Sequence, residues 1–294
     1  SAQFFIGRCL LRAYALTLSW SPMEVLVSTS IDMTGVNYLI VFPVMFALAV
    51  CTVYIDVRLA RIRYRNIPYS PADLRSKADV KRNIIQKIIL LSVFLITFIV
   101  AVTIVQSLLR LSFLITVVLV LPVQSILWSL IFKKQKRYFT LIAGKWKGHT
   151  LGLSNYFFMF LSAGLFVNMV SSTGSIESLT SIFRSAAEQP LAFYFLTALF
   201  FLLASLIGFH PLVIMTFFAA MIEPMIHELP AVPLTVVLIA CSLATVMYSP
   251  FNLSVSLLGN ELNMNPFKIC FLNLGFAAVY ISISILAAWI LHFV

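Results

Sequence analysis

The sequence predicts an all-α, polytopic membrane protein, and three observations lead to that class. The chain is too apolar for a soluble domain: of 294 residues, 61% are hydrophobic and 10% charged, and the mean hydropathy is +1.03. Its basic residues gather in two clusters between apolar runs. A short motif centred on Ser-Pro occurs twice inside apolar segments, where a proline should break a helix.

The apolar runs approach 20 residues with few charges, the length that spans a bilayer as a helix at 1.5 Å per residue. Lipid offers no hydrogen bonds to backbone groups, and the runs are too long and uniform for porin strands, so they read as helices. Cys9, Cys51, Cys241 and Cys270 are widely spaced within apolar runs and read as small packing residues. No HExxH, GxGxxG or Walker-type loop occurs, and no cleavable signal peptide is evident. The chain begins with "SAQFF", without methionine, and is at membrane depth a few residues later, so a preceding segment or a partner chain is expected to complete it.

The charges set the topology. Nine basic residues lie from Arg58 to Lys87 and six from Lys133 to Lys147, which is 15 of the 20 Lys and Arg. The positive-inside rule places both loops, 58–84 and 133–150, in the cytoplasm. They flank membrane segments, so topology explains them without nucleic acid.

In chain order, residues about 37–57 run from outside to inside. In the first basic loop, Ser70, Pro71 and Asp73 signal the start of a short surface helix. Residues about 85–108 and 111–132 form two crossings joined by a tight turn near Arg110. Residues about 152–172 lead outward again, and 171–190, with Arg184 as its one basic residue, is external. Residues 190–225 are too long for one crossing and short for two full ones. Gly208-Phe209-His210-Pro211 interrupts them, which suggests a re-entrant hairpin with its tip at 208–211. Residues 232–260 are interrupted at "YSPFN". The final helix, about 265–293, follows the start signal "NMNP".

The repeated motif links these segments. "TLSWSPMEVLVS" (17–28) aligns with "TVMYSPFNLSVS" (245–256) at a constant offset of 228. Thr17, Ser21, Pro22, Val27 and Ser28 match identically, and Trp20 meets Tyr248. A full helix follows each copy. The first runs out to in and the second in to out, so the copies have opposite orientation, as inverted repeats do. Each proline frees backbone carbonyls, and each following half-helix turns its N–H groups and positive dipole end inward. Such backbone is tolerated at membrane depth only around a protein-buried or watery cavity.

The order hairpin, broken helix, full helix, placed twice with inverted topology around a basic central loop, resembles the ion transporter superfamily. That group includes divalent anion:sodium symporters, arsenite permeases and related sodium/proton antiporters. The resemblance implies that residues 1–57 end repeat one and that 85–294 hold repeat two, with the first helices and first hairpin before Ser1. It leaves a homodimer open. Dicarboxylate members carry Ser-Asn-Thr at hairpin tips; this tip reads Gly208-Phe209-His210-Pro211, so dicarboxylate specificity is not carried over. Asn252 in "SPFN" is the nearest match to that family's Pro/Asn/Thr-type break.

The reading that follows is a secondary transporter in the cell membrane for a small anionic solute, with no cofactor beyond Na⁺ or H⁺ as coupling ion. Substrate contacts are expected from Ser21, Glu24, Gly208, His210 and Asn252, and ion contacts from Thr17, Ser21, Thr245, Ser249 and Asn252. The offset pairs Glu24 with Asn252, each two residues past its proline. Arg8 and Arg12 read as topological anchors, and His227-Glu228 as an external pair. Two alternatives stay open: a cation/proton antiporter with Glu24 as the titrating group, and a non-transporting assembly subunit whose breaks are mere kinks. An intramembrane enzyme would need a paired nucleophile and base or a metal cluster, and the sequence displays neither.

Overall fold

Proline, glycine and short polar side chains set most of the helix ends. The structure, a computed structural model, describes residues 2–63, 78–152 and 154–293. The helices are α1 (Ala2–Leu18), α2 (Val25–Thr34), α3 (Tyr38–Arg63), α4 (Ala78–Leu109), α5 (Phe113–Ile131), α6 (Gln135–Gly152) and α7 (Ser154–Ser172). There follow α8 (Ser175–Ala187), α9 (Pro190–Ile207), α10 (Pro211–Ile222) with a 3₁₀ extension (Glu223–Glu228), α11 (Ala231–Tyr248), α12 (Leu253–Leu262) and α13 (Pro266–Leu291). Pro190, Pro211 and Pro266 each open a helix, where their missing N–H costs nothing. Arg110, with φ 51°, turns the chain between α4 and α5, and the Ser112 side chain caps α5. Asn263, with φ 50°, ends α12, with Met264 N bonded to the Gly259 carbonyl and Asn263 N to that of Asn260.

Among the described residues, seven helical segments are long and apolar enough to cross a membrane: 38–62, 84–109, 113–131, 190–207, 211–228, 231–262 and 266–291. The chain is thus an all-helical protein of multi-pass membrane character. Two segments read as loops contain helices. Residues 135–152 form α6 although their composition is basic and polar and Gly144 and Gly148 lie inside it, because a stretch without proline can satisfy its own backbone as a helix. Residues 175–187 form α8, whose Phe183 packs edge-on against Phe193, Phe200 and Phe218. The helix start expected at Ser70 lies outside the described residues.

The chain divides into two compact units, 55–147 and the combination of 1–54 with 148–294. In the first, α4 and α5 form a hairpin. Gln124 Nε2 donates to the Phe94 carbonyl (3.0 Å) and to Thr97 Oγ1 (2.9 Å), and Trp128 packs edge-on to Phe94.

In the larger unit α11 is the core. Every residue from Pro233 to Tyr248 is buried, and α13, α9, α2, α1, α10 and α12 surround it. A helix apolar on all sides, with only hydroxyls as polar groups, suits that central place. The two broken helices pack in opposite directions: α2 lies on α11 and α1 on α12. At one end Thr34 Oγ1 is 2.7 Å from Thr235 Oγ1; at the other, Leu262 Cδ1 lies against Gly7. Helix α1 is also tied to α13. Arg12 Nε donates to Asn273 Oδ1 (3.0 Å), its Nη2 donates to the Leu272 carbonyl (3.1 Å), and its guanidinium lies 4.5 Å from the centre of the Phe276 ring. Asn273, fully buried, donates back to the Gly7 carbonyl (3.2 Å). Arg12, read from sequence as a topological anchor, is therefore a side chain that joins two helices.

Helices α9 and α10 fold back on each other about Gly208. Phe200 stacks on Phe217 at 5.9 Å and Phe201 lies 5.8 Å from Phe218, so residues equally far from the turn meet. The interruption expected at 208–211 is the turn of this helical hairpin.

Candidate functional site

Each interrupted segment ends in a helix N-terminus, and the structure determines where those termini point. At the hairpin turn, Gly208 has φ 116°, a left-handed conformation that a side chain resists. Its α-carbon also faces the Phe251 ring, which would lie 3.5 Å from an added Cβ. His210 caps α10: its Nδ1 accepts from Leu212 N at 3.3 Å, so the neutral ring keeps its proton on Nε2.

At the second break, Ser249 leaves the helix in extended conformation and its Oγ donates to the Ser205 carbonyl of α9 at 2.9 Å. This bond ties the break to the hairpin. Asn252 caps α12, with Oδ1 accepting from Ser254 N at 2.9 Å. The oxygen is thereby assigned, which leaves Nδ2 as a donor with no partner among the described residues. The residue is 8% exposed.

These two sites share one cavity of about 460 Å³. Gly208, His210, Ser249 and Asn252 line it, together with Phe158, Ser162 and Phe166 of α7 and the rings of Phe209 and Phe251. The N-cap residues of α10 and α12, His210 and Asn252, both line it. Those helix ends carry a partial positive charge, although their Leu212 and Ser254 N–H groups are taken by the caps. Among the described residues, the lining holds no Lys, Arg, Asp or Glu. The arrangement supplies neutral donors and two dipole ends, surrounded by aromatic walls, and suits one negatively charged or strongly accepting group.

The remaining candidates lie elsewhere. Thr245 is fully buried one turn before Ser249, and its hydroxyl donates to the Ser242 carbonyl at 2.6 Å. Thr17 is on the exposed side of α1 and donates to the Ala13 carbonyl. Ser21 Oγ accepts from Met23 N, and Glu24 is the half-buried N-cap of α2. None of Thr17, Ser21 and Glu24 lines the cavity.

The two breaks also differ in their carbonyls. At the first, Tyr38 Oη donates to the Trp20 carbonyl at 2.7 Å and Ser28 Oγ to that of Pro22 at 3.3 Å, while the Trp20 ring packs edge-on against Phe42 and Phe46. The expectation that the break frees these carbonyls as ligands therefore does not hold there. At the second, the Tyr248 and Pro250 carbonyls accept no hydrogen bond among the described residues.

Sequence reasoning missed α7. Ser162, Phe158 and Phe166 carry no motif and sit in a helix read only as a crossing. No family model, no curated protein and no solved structure matches this chain.

Proposed function

We propose that the protein is a secondary transporter that carries a small anion across the cell membrane, coupled to Na⁺ or H⁺. One observation carries the reading: the turn at 208–211 and the break at 249–252, far apart in sequence, line one cavity that the N-cap residues of two helices, His210 and Asn252, both reach. Discontinuous helices at membrane depth need a reason, and a solute site is the usual one. The antiparallel packing of the two broken helices supports an inverted-repeat layout of the ion transporter type, in which α9 and α10 form the re-entrant hairpin of repeat two. A coupling Na⁺ would find oxygen ligands at the second break, in the Tyr248 and Pro250 carbonyls and the Ser249 hydroxyl.

The test is uptake by the full-length protein in proteoliposomes under imposed Na⁺ or pH gradients, across inorganic and organic anions. Gradient-driven uptake of an anion, lost in Asn252→Asp, is expected. The Asp side chain keeps the cap on α12 but replaces the Nδ2 donor with a negative charge facing the solute. Cation-for-proton exchange abolished by Glu24→Gln and indifferent to Asn252→Asp would favour the antiporter instead. No flux of any solute would favour a non-transporting subunit.

A further inference from the structure

Behind the polar cavity lies a second one of about 220 Å³, between α7, α9 and α10. Its walls are Phe200, Leu203, Ala204, Ile207, Ile214 and Phe217, and it shares Phe166, Phe209 and Val213 with the first cavity. Among the described residues, no polar side chain lines it. It is a half-open groove and not an interior void, since Leu203 and Ile207 on its rim are largely exposed. It lies in the arms of the helical hairpin whose turn forms the polar site. The two cavities thus form a series: neutral donors and dipole ends at the turn, then aromatic rings, then an aliphatic and aromatic chamber.

Resting on the anion reading above, we infer that the solute is an amphipathic monoanion, a monocarboxylate with a short alkyl or aryl body. Its head meets Asn252 Nδ2 and the N-termini of α10 and α12. Its body passes Phe166 and Phe209 into the chamber beside Ala204. Head charge is limited to one because the lining has no Lys or Arg among the described residues; two helix ends and neutral donors balance a single charge and leave a second uncompensated. The body is apolar because every wall beyond Phe209 is apolar.

The experiment is equilibrium binding of a probe series to the purified full-length protein in nanodiscs: acetate, butyrate, hexanoate, benzoate, succinate and sulfate. Affinity should rise roughly fourfold per added methylene until the chamber is filled. Benzoate should rank with hexanoate, and succinate and sulfate should bind at least tenfold more weakly. Ala204→Leu, which fills the chamber, should cost hexanoate and benzoate at least tenfold and leave acetate unchanged. If that variant does not fold, Phe217→Ala enlarges the chamber and should move the preferred chain length upward.

Sulfate or succinate binding as tightly as hexanoate, and lost in Asn252→Asp, would overturn this inference while the anion reading stands. A chain-length preference untouched by both chamber variants would overturn it too, since the body would then lie elsewhere. So would a co-purifying lipid, detected by native mass spectrometry, that hexanoate does not displace. Failure of every anion to bind would overturn both readings.

Discussion

At the residue scale, side chains that look equivalent in sequence do different work. Glu24 and Asn252 both precede the second half of a broken helix, and both have extended backbone at the N-cap position. Asn252 closes its cap and leaves one donor in the cavity; Glu24 does not line that cavity. Asn252→Asp should therefore reduce anion uptake more than tenfold with little change in melting temperature, checked by flux assay and thermal unfolding of the same preparation. The Arg12–Asn273 pair gives a second prediction. Asn273→Ala should lower stability by about 2 kcal/mol, because it leaves a partly buried guanidinium and the Gly7 carbonyl short of partners. A double-mutant cycle with Arg12→Ala, read by denaturant unfolding in detergent, should yield a coupling of about 1 kcal/mol or more.

At the element scale, the breaks are held by neighbouring helices as much as by their own prolines. Tyr38 Oη from α3 completes the first break, and the Ser205 carbonyl of α9 accepts from the second. Two glycines are required by geometry. Gly208→Ala places a side chain at φ 116° against Phe251, and the expected cost is about 1–2 kcal/mol with a loss of uptake. The ring would stand at ordinary van der Waals distance, so the cost is backbone strain, and adding Phe251→Ala should recover no thermal stability. At Gly259 an added Cβ would meet the Met264 carbonyl at 2.9 Å, so Gly259→Ala should loosen the α12–α13 turn. Faster amide exchange at 259–264 would report it.

At the whole-molecule scale, burial and charge place the chain in a bilayer. Large apolar side chains such as Ile62, Leu108 and Phe271 are exposed, and a fully buried helix lies at the centre of the larger unit. The two basic clusters predict the sidedness. In a background without the four native cysteines, Ser181→Cys should react with a membrane-impermeant maleimide added outside. Lys136→Cys should react only after the membrane is opened. The reverse pattern would invert the topology.

The sequence by itself determined the class and the breaks, while of the expected crossings 152–172 is not among the seven apolar spans of the described residues and 190–225 holds two of them. Hydropathy and charge are local sums, and Pro22, Pro250 and the Gly208–Pro211 turn act on the backbone within one helical turn, so their effects can be read without knowing the fold. The helical state of 135–152 escaped because polarity was read as loop, whereas helix formation depends on backbone bonding and not on apolarity. Only the tertiary structure decided which polar groups meet. It brought Gly208 and His210 to Ser249 and Asn252, placed Thr17 on an outer face, and covered the Trp20 and Pro22 carbonyls with hydroxyls from Tyr38 and Ser28. It also brought Ser162 and the phenylalanines of α7 into the cavity wall. The physical reason is that a break frees hydrogen-bonding groups wherever it occurs, but their fate, ligand or structural bond, depends on which distant side chain packs against them.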